Sequence, residues 1–372
     1  MTYARARLWI GISSVGTWVV LSAGALWFDF PARAFPTSPT GIMGDAAWLA
    51  FAVLLSVCVG FAFDLLGGFV LPRRFRRSTT GLLEWSFGWA RGVVIFGIGT
   101  IVMGTIVMTL ARSFGGAGAV AGVAATSLVL VIMQGGVARL VGGLSPHVQS
   151  DGKARAYELV QNRDRGFTGG WAGWPGREKL MIPASWLEDL DSHQLEAELQ
   201  RRTALRDSGA RARGVWLGLA FNLVGFTLVV VFTAVDPTTV SGVVGASLWM
   251  TIWSFLGALL LPSLSRPAVY AADRLARDAG TNPDTLVAAI RRLDQLQDDE
   301  PERPVVVESV FHPIPSVQRR MAGLEGRTTG RAGAWHAARM ALFLSWASFG
   351  LLGRAVHCNC GRTELWVLLP AD

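Results

Sequence analysis

The sequence is short of charge. Only 16% of its 372 residues are Asp, Glu, Lys or Arg, while 51% are hydrophobic; a soluble chain carries about a quarter charged residues. That balance excludes an ordinary soluble fold, because so many apolar side chains need lipid as well as a core. Cysteine is scarce: Cys58, Cys358 and Cys360 are too few for a disulfide framework. Lysine is almost missing, with Lys153 and Lys179 beside 32 arginines (34 basic residues less two), a bias that reflects genome composition and bears weakly on function. The sequence contains no phosphate-binding glycine loop, Ser/His/Asp triad motif, nucleotide fingerprint, lipidation motif or internal repeat.

What the chain does have is long apolar runs. Six reach the roughly 20 residues that cross a bilayer core: Leu8–Phe28, Ala47–Leu71, Trp85–Ala111, Ala117–Leu140, Gly214–Val235 and Val240–Leu261. Each is expected to be helical, since lipid offers an exposed backbone no partner and a helix satisfies its own. A further stretch, Met340 to Gly353, is apolar for 14 residues and fits either a packed or interfacial helix or a seventh span. The first run follows Arg5 and Arg7, but it is too long for a signal peptide and Phe28 to Pro31 lacks a small-residue cleavage pattern. It reads as a retained helix.

The net charge of +7 is placed for topology and does not indicate nucleic acid. Arg73, Arg74, Arg76 and Arg77 follow the second run, whereas the turn between the last two runs carries only Asp236. By the positive-inside rule the N-terminus and the polar segments 141–213 and 262–335 are expected in the cytoplasm. The location implied is a bacterial cytoplasmic membrane. The arginine patch also suits anionic lipid.

The chain is therefore read as a mainly α, polytopic helical membrane protein of about six spans. Its units are a four-helix membrane block (1–143), a first polar segment (144–213), a transmembrane hairpin (214–262), a second polar segment (263–330) and an amphiphilic tail (331–372). The two polar segments, at roughly 70 residues each, are too small to fold alone and are expected to pack as one split domain. Lys179 to Pro183 predicts a short strand. A helix is expected from Asp191 or Ser192, where Asp191 and Gln194 have capping-box spacing, through Leu195, Leu199 and Leu205 to Gly209. Further helices are expected over Ala268–Ala279 and Asp284–Leu296, and the acidic run Asp298–Glu302 is expected to be a solvated loop.

The order of these elements resembles the HtpX-like and CAAX prenyl protease family of membrane zinc metallopeptidases. Leu180 to Leu199 (LMIPASWLEDLDSHQLEAEL) is similar to that family's approach to its active-site helix, which reads LEAVLAHELAH. A membrane hairpin follows, then Ser265 to Arg274 (SRPAVYAADR) beside the family's SRxxEYEADR. His312 to Leu324 (HPIPSVQRRMAGL) resembles its HP-rich turn, with about two extra residues. The resemblance spans about residues 160–325 and implies a metallopeptidase-like domain split by the hairpin.

In that family two histidines at i and i+4 bind zinc, the intervening glutamate activates the metal-bound water, and a second helix brings a third ligand. Carried onto this chain, the HExxH positions hold Arg201, Arg202, Thr203, Ala204 and Leu205, and Val269 stands at the third ligand. Only the outer aspartate is retained, as Asp273. Arginine keeps its proton, and leucine and valine have no lone pair. The resemblance thus implies a degenerate peptidase with no catalytic residue retained and no cofactor. It would bind membrane-protein clients or regulate a partner protease in protein quality control. The alternative is an active zinc metalloendopeptidase with a non-standard site.

Other constellations carry less. His193 and Glu196 read as a solvated capping turn, and His312 as a turn residue before Pro313. His357, Cys358 and Cys360 would need further ligands to hold zinc and read as a structural tail. Cys58 reads as a small packing residue. Asp64 and Arg91 lie within spans at comparable depth, and intramembrane charges tend to pair. They are expected to face each other; a transport site is the other reading. The glycine-rich loop 166–176 corresponds to the segment beside the family's cleft and reads equally as a turn with interfacial Trp171 and Trp174.

Overall fold

The computed structural model describes residues 1–147, 157–325, 333–345 and 359–368. The membrane block comprises α1 (Tyr3–Trp27), the short α2 (Phe30–Ala34), α3 (Ile42–Leu65), a π-helical turn (Leu66–Val70), α4 (Leu71–Arg74), α5 (Leu82–Ile132) and α6 (Gln134–Gly142). A second membrane pair, α9 (Ala210–Phe232) and α10 (Val240–Leu260), packs against it. Five helices of the described residues are long and apolar enough to cross a membrane.

One of the five is folded on itself. The 51-residue α5 has non-helical backbone at Gly115, with φ 64° and ψ −153°, a conformation only glycine adopts without strain. A Cβ added at Gly122 would lie 3.2 Å from Val107 Cα, and one at Gly118 would lie 2.1 Å from the Leu110 carbonyl. Residues 107 and 122 would be roughly 22 Å apart on a straight helix, so the chain reverses at Gly115. Its two arms correspond to the third and fourth apolar runs. This turn reconciles six runs in the sequence with five long helices.

Between the membrane helices the polar segments build a small four-stranded sheet in the order β1 (Ser145–Pro146), β2 (Tyr157–Gln161), β4 (Lys179–Pro183), β3 (Gly170–Ala172). β2 runs parallel to β4, and β3 runs antiparallel to it. β4 spans the predicted residues. After α7 (Trp186–Asp189), helix α8 (Ser192–Asp207) opens with the expected capping box: Gln194 N donates to Asp191 Oδ1 at 2.8 Å, and Asp191 N to Gln194 Oε1 at 3.4 Å. Gly209, at φ 71°, lets α9 leave at once.

The second polar segment contributes α11 (Pro262–Asp278), α12 (Pro283–Gln297), α13 (Val305–Phe311) and α14 (Val317–Glu325). α11 begins six residues earlier than expected, at Pro262 rather than Ala268. Its start directly continues α10, and proline is tolerated in a first helical turn. Residues from both polar segments share two apolar clusters. Leu180, Ile182 and Leu205 meet Ala268, Val269 and Leu293 in one, and Ala197 meets Ala276, Leu286 and Ile290 in the other.

The acidic run 298–302 is solvated only in part: Asp299, Pro301 and Glu302 are exposed, while Asp298 and Glu300 are partly buried in ion pairs. Asp298 pairs with Arg7 on α1 and with Arg303, Glu300 pairs with Arg5 at 2.7 Å, and Asp299 pairs with Arg77 at 3.2 Å. Basic residues placed at the ends of the spans draw the acidic run onto the membrane block. The C-terminal end also docks: α15 (Ala337–Leu344) is buried against α9, and residues 359–368 thread beside the π turn and α5. The rest of the Met340–Gly353 stretch, together with His357 and Cys358, lies outside the described residues.

Candidate functional site

Helices α8 and α11 lie side by side, and the positions singled out by the resemblance meet where they touch. Leu205 and Val269 are fully buried in one apolar cluster with Trp186, Ala272 and Trp335. Leu195, Leu199 and Ala272 also serve this packing, but Leu275 is 43% exposed and contributes to the outer face of α11 instead.

Arg201 and Arg202 are likewise fully buried, and the carboxylate that holds them is Glu198, one turn earlier on α8. Arg201 Nε and Nη2 donate to the two Glu198 oxygens at 2.8 and 2.9 Å, and Arg202 Nε donates to Glu198 Oε1 at 2.6 Å. Arg202 Nη1 also donates to the Thr168 carbonyl at 2.8 Å, and its guanidinium lies 4.7 Å over the Trp186 ring. Across the helix pair, Asp273 is 3.7 Å from Arg201 and accepts two bonds from Arg320 of α14, at 2.7 and 2.9 Å. Two carboxylates and three guanidiniums thus form one buried network, with a carbonyl and an indole face taking up the surplus cation.

This donor set does not fit a zinc ion. Zinc sites in proteins use thiolate, imidazole or carboxylate ligands. The three positions that the resemblance aligns with zinc ligands hold a guanidinium and two alkyl groups, and Glu198 and Asp273 beside them are committed to arginines. The position that the resemblance aligns with the general base holds Arg202, which has no lone pair to accept a proton. Chemically the arrangement is a clasp: it ties α8, α11, α14 and the loop before β3 together and presents no nucleophile. Among the described residues no group of three or more His, Cys, Asp and Glu is placed to hold a metal ion.

The glycine-rich loop packs against this clasp. Phe167 and Thr168 are fully buried, and Trp171 Nε1 donates to the Arg202 carbonyl at 2.8 Å. Trp171 is therefore a core residue rather than an interfacial one, while Trp174 remains half-buried, edge-on to Trp216 at 5.2 Å. His193 and Glu196 are exposed at the start of α8. His312 lies near Arg303, Asp298, Arg7 and Arg339; burial, then Arg303, push its pKa down to about 3, so it is neutral at physiological pH.

Asp64 and Arg91 take different partners. Asp64 Oδ2 accepts from Trp89 Nε1 at 2.9 Å, and Oδ1 accepts from Gly361 N at 2.7 Å. Arg91 Nη2 reaches the Val141 carbonyl at 3.5 Å. The intramembrane aspartate thus holds the C-terminal segment: Trp85 Nε1 donates to the Gly361 carbonyl at 3.0 Å, and a Cβ at Gly68 would meet that carbonyl oxygen at 2.3 Å. Only glycines admit so close an approach. Cys360 is buried beside it, whereas Cys58 is exposed on the outer face of α3 and does not pack.

Glu198 is not among the residues that the resemblance singles out. Its spacing of three and four residues from Arg201 and Arg202 is the helical ion-pair pattern and was the available signal. Nothing in the sequence points to Thr168, Trp186 or Arg320.

No family model and no curated protein sequence matches the chain. Among solved structures, the crystal structure of S. mikatae Ste24p aligns with a TM-score of 0.63 over 77% of this chain and 76% of that one, at 14% sequence identity. At this identity the likeness is one of fold. The chain is a mainly α, polytopic membrane protein with a fold related to that of Ste24p.

Proposed function

We propose that this protein is a non-catalytic member of the membrane metallopeptidase fold, a degenerate relative of the HtpX-like and CAAX prenyl proteases. It uses the fold to hold membrane proteins or to regulate a partner protease, in the bacterial cytoplasmic membrane with its polar segments in the cytoplasm. The observation that carries this reading is the buried clasp of Glu198, Arg201, Arg202, Asp273 and Arg320, with Leu205 and Val269 beside it. Loss of a metal site by drift would leave ordinary polar or small residues. These positions instead hold large, mutually satisfied side chains that lock the two helices without any metal. A rigid helix pair beside membrane spans retains the means to bind a polypeptide while lacking the means to cut it.

The test uses the purified full chain. Zinc content by mass spectrometry is expected to be well below one per chain, and incubation with an unfolded membrane protein is expected to yield no cleavage that a chelator abolishes. Zinc at one per chain, or cleavage lost on chelation, would overturn this reading in favour of an active zinc metalloendopeptidase.

A further inference from the structure

A cavity of about 370 Å³ lies between α1, α10 and the turn joining α13 to α14. Its character changes along its length. One end is walled by Leu8, Ile12 and Val15 of α1 with Phe255, Ala258 and Leu259 of α10. The other end is walled by Arg7, Gln297, Arg303, His312 and Arg339 with Asp294 and Asp298. Arg7 and Val15 are eight residues apart on one helix, so the apolar stretch is roughly 12 Å long. It runs from the end of a span inward along it.

The polar end is rich in donors. Of the arginines on its wall, Arg320 is held by Asp273, Arg7 pairs with Asp298, and Arg303 lies 3.5 Å from each of Asp294, Asp298 and Glu300. Three buried nitrogens there have no hydrogen-bond partner among the described residues: Gln297 Nε2 and Arg303 Nε, which are donors, and His312 Nε2, which donates in its Nε2–H tautomer. Buried donors left unmade are costly, and convergence of several on one cavity marks a place for acceptor oxygens. The volume lies within the usual range for small-molecule sites, and an apolar wall with a few convergent polar groups is their usual make-up. Neither end alone explains the whole: a free anion would leave the apolar end unused, and a hydrocarbon would leave the donors unmet.

We propose that this cavity binds an anionic amphiphile, its phosphate or carboxylate head against Gln297, Arg303 and His312 and its alkyl chain along Leu8, Ile12 and Val15. The head sits at the membrane boundary and the chain follows α1 toward the bilayer interior. This inference does not depend on the loss of peptidase chemistry.

The probe is 11-(dansylamino)undecanoate, titrated into the full chain in an uncharged maltoside detergent. Saturable fluorescence at one probe per chain is expected. Oleate or lysophosphatidylglycerol should displace it, and which of the two does so more strongly assigns the carboxylate or the phosphate head. Uncharged monooleoylglycerol and inorganic phosphate should not. Gly16→Leu fills the apolar end, where an added Cβ meets nothing within 4 Å, and is expected to weaken binding at least tenfold. Gly24→Leu, equally open but away from the cavity, should leave it unchanged. Gln297→Leu is expected to weaken binding at least threefold with unaltered helical circular dichroism. The proposal is overturned by absence of saturable binding, by monooleoylglycerol competing as well as oleate, by displacement with phosphate alone, or by Gly16→Leu and Gly24→Leu behaving alike.

Discussion

Glu198→Gln removes the one carboxylate that holds both buried arginines of α8. The wild-type oxygens receive three charge-assisted bonds, at 2.6, 2.8 and 2.9 Å. The amide keeps a single acceptor and turns its NH2 toward a guanidinium. Arg201 would retain Asp273 at 3.7 Å, and Arg202 its Thr168 carbonyl and the Trp186 face. Since Glu198 and both arginines are fully buried, water offers no compensation, and breaking such a network from one side costs about 3–5 kcal/mol. Replacing the three residues together, Glu198→Leu with Arg201→Met and Arg202→Met, removes the buried charges of α8 at once, leaves the Asp273–Arg320 pair intact, and is expected to stay within about 2 kcal/mol of wild type. The assay is reversible unfolding in mixed micelles by titration with SDS, followed by circular dichroism. A cost below about 1 kcal/mol for the single substitution, or a triple variant less stable than the single one, would refute the clasp as the element that holds α8 to its neighbours.

Asp64→Ala is expected to cost about 1–3 kcal/mol by stranding Gly361 N and Trp89 Nε1, and to speed proteolysis near residue 361; combined with Arg91→Ala, the two effects should add within about 0.5 kcal/mol, because their partners differ. A non-additive result, measured in the same unfolding assay, would restore a direct pair. His312, held neutral by burial and by Arg303 with its pKa lowered to about 3, makes the wild type lose stability as pH falls below its unfolded value near 6.5 and on toward 3, by about 2 kcal/mol at pH 5. His312→Gln should flatten that slope, and an unchanged pH profile would show that the histidine titrates freely in the folded protein. For topology, with the native cysteines replaced, Thr238→Cys should react with an impermeant maleimide outside the cell and Glu302→Cys should not; the reverse pattern would invert the orientation.

Much of the membrane architecture is local information. Apolar length alone specifies the runs that become α1, α3, both arms of α5, α9 and α10, since the bilayer demands about 20 such residues whatever they touch. The capping box at Asp191 and Gln194 and the β-type run at Lys179 to Pro183 are likewise set by neighbours a few residues away. The positions that the resemblance aligns with zinc ligands, Arg201, Leu205 and Val269, are placed by the same local pattern of spacing. What the tertiary structure alone decided is where charge is satisfied. Glu198 stands at helical spacing from its arginines, yet only the packing of α11, α14 and the Thr168 loop makes that pair buried and therefore structural. Asp64 bonds the backbone of Gly361, 297 residues on, and Asp298 and Glu300 are drawn partly out of solvent by Arg7 and Arg5 from the other end of the chain. A carboxylate in the sequence accepts from any cation or amide within reach, so its partner is settled only when the fold determines which donors arrive and excludes water from the rest.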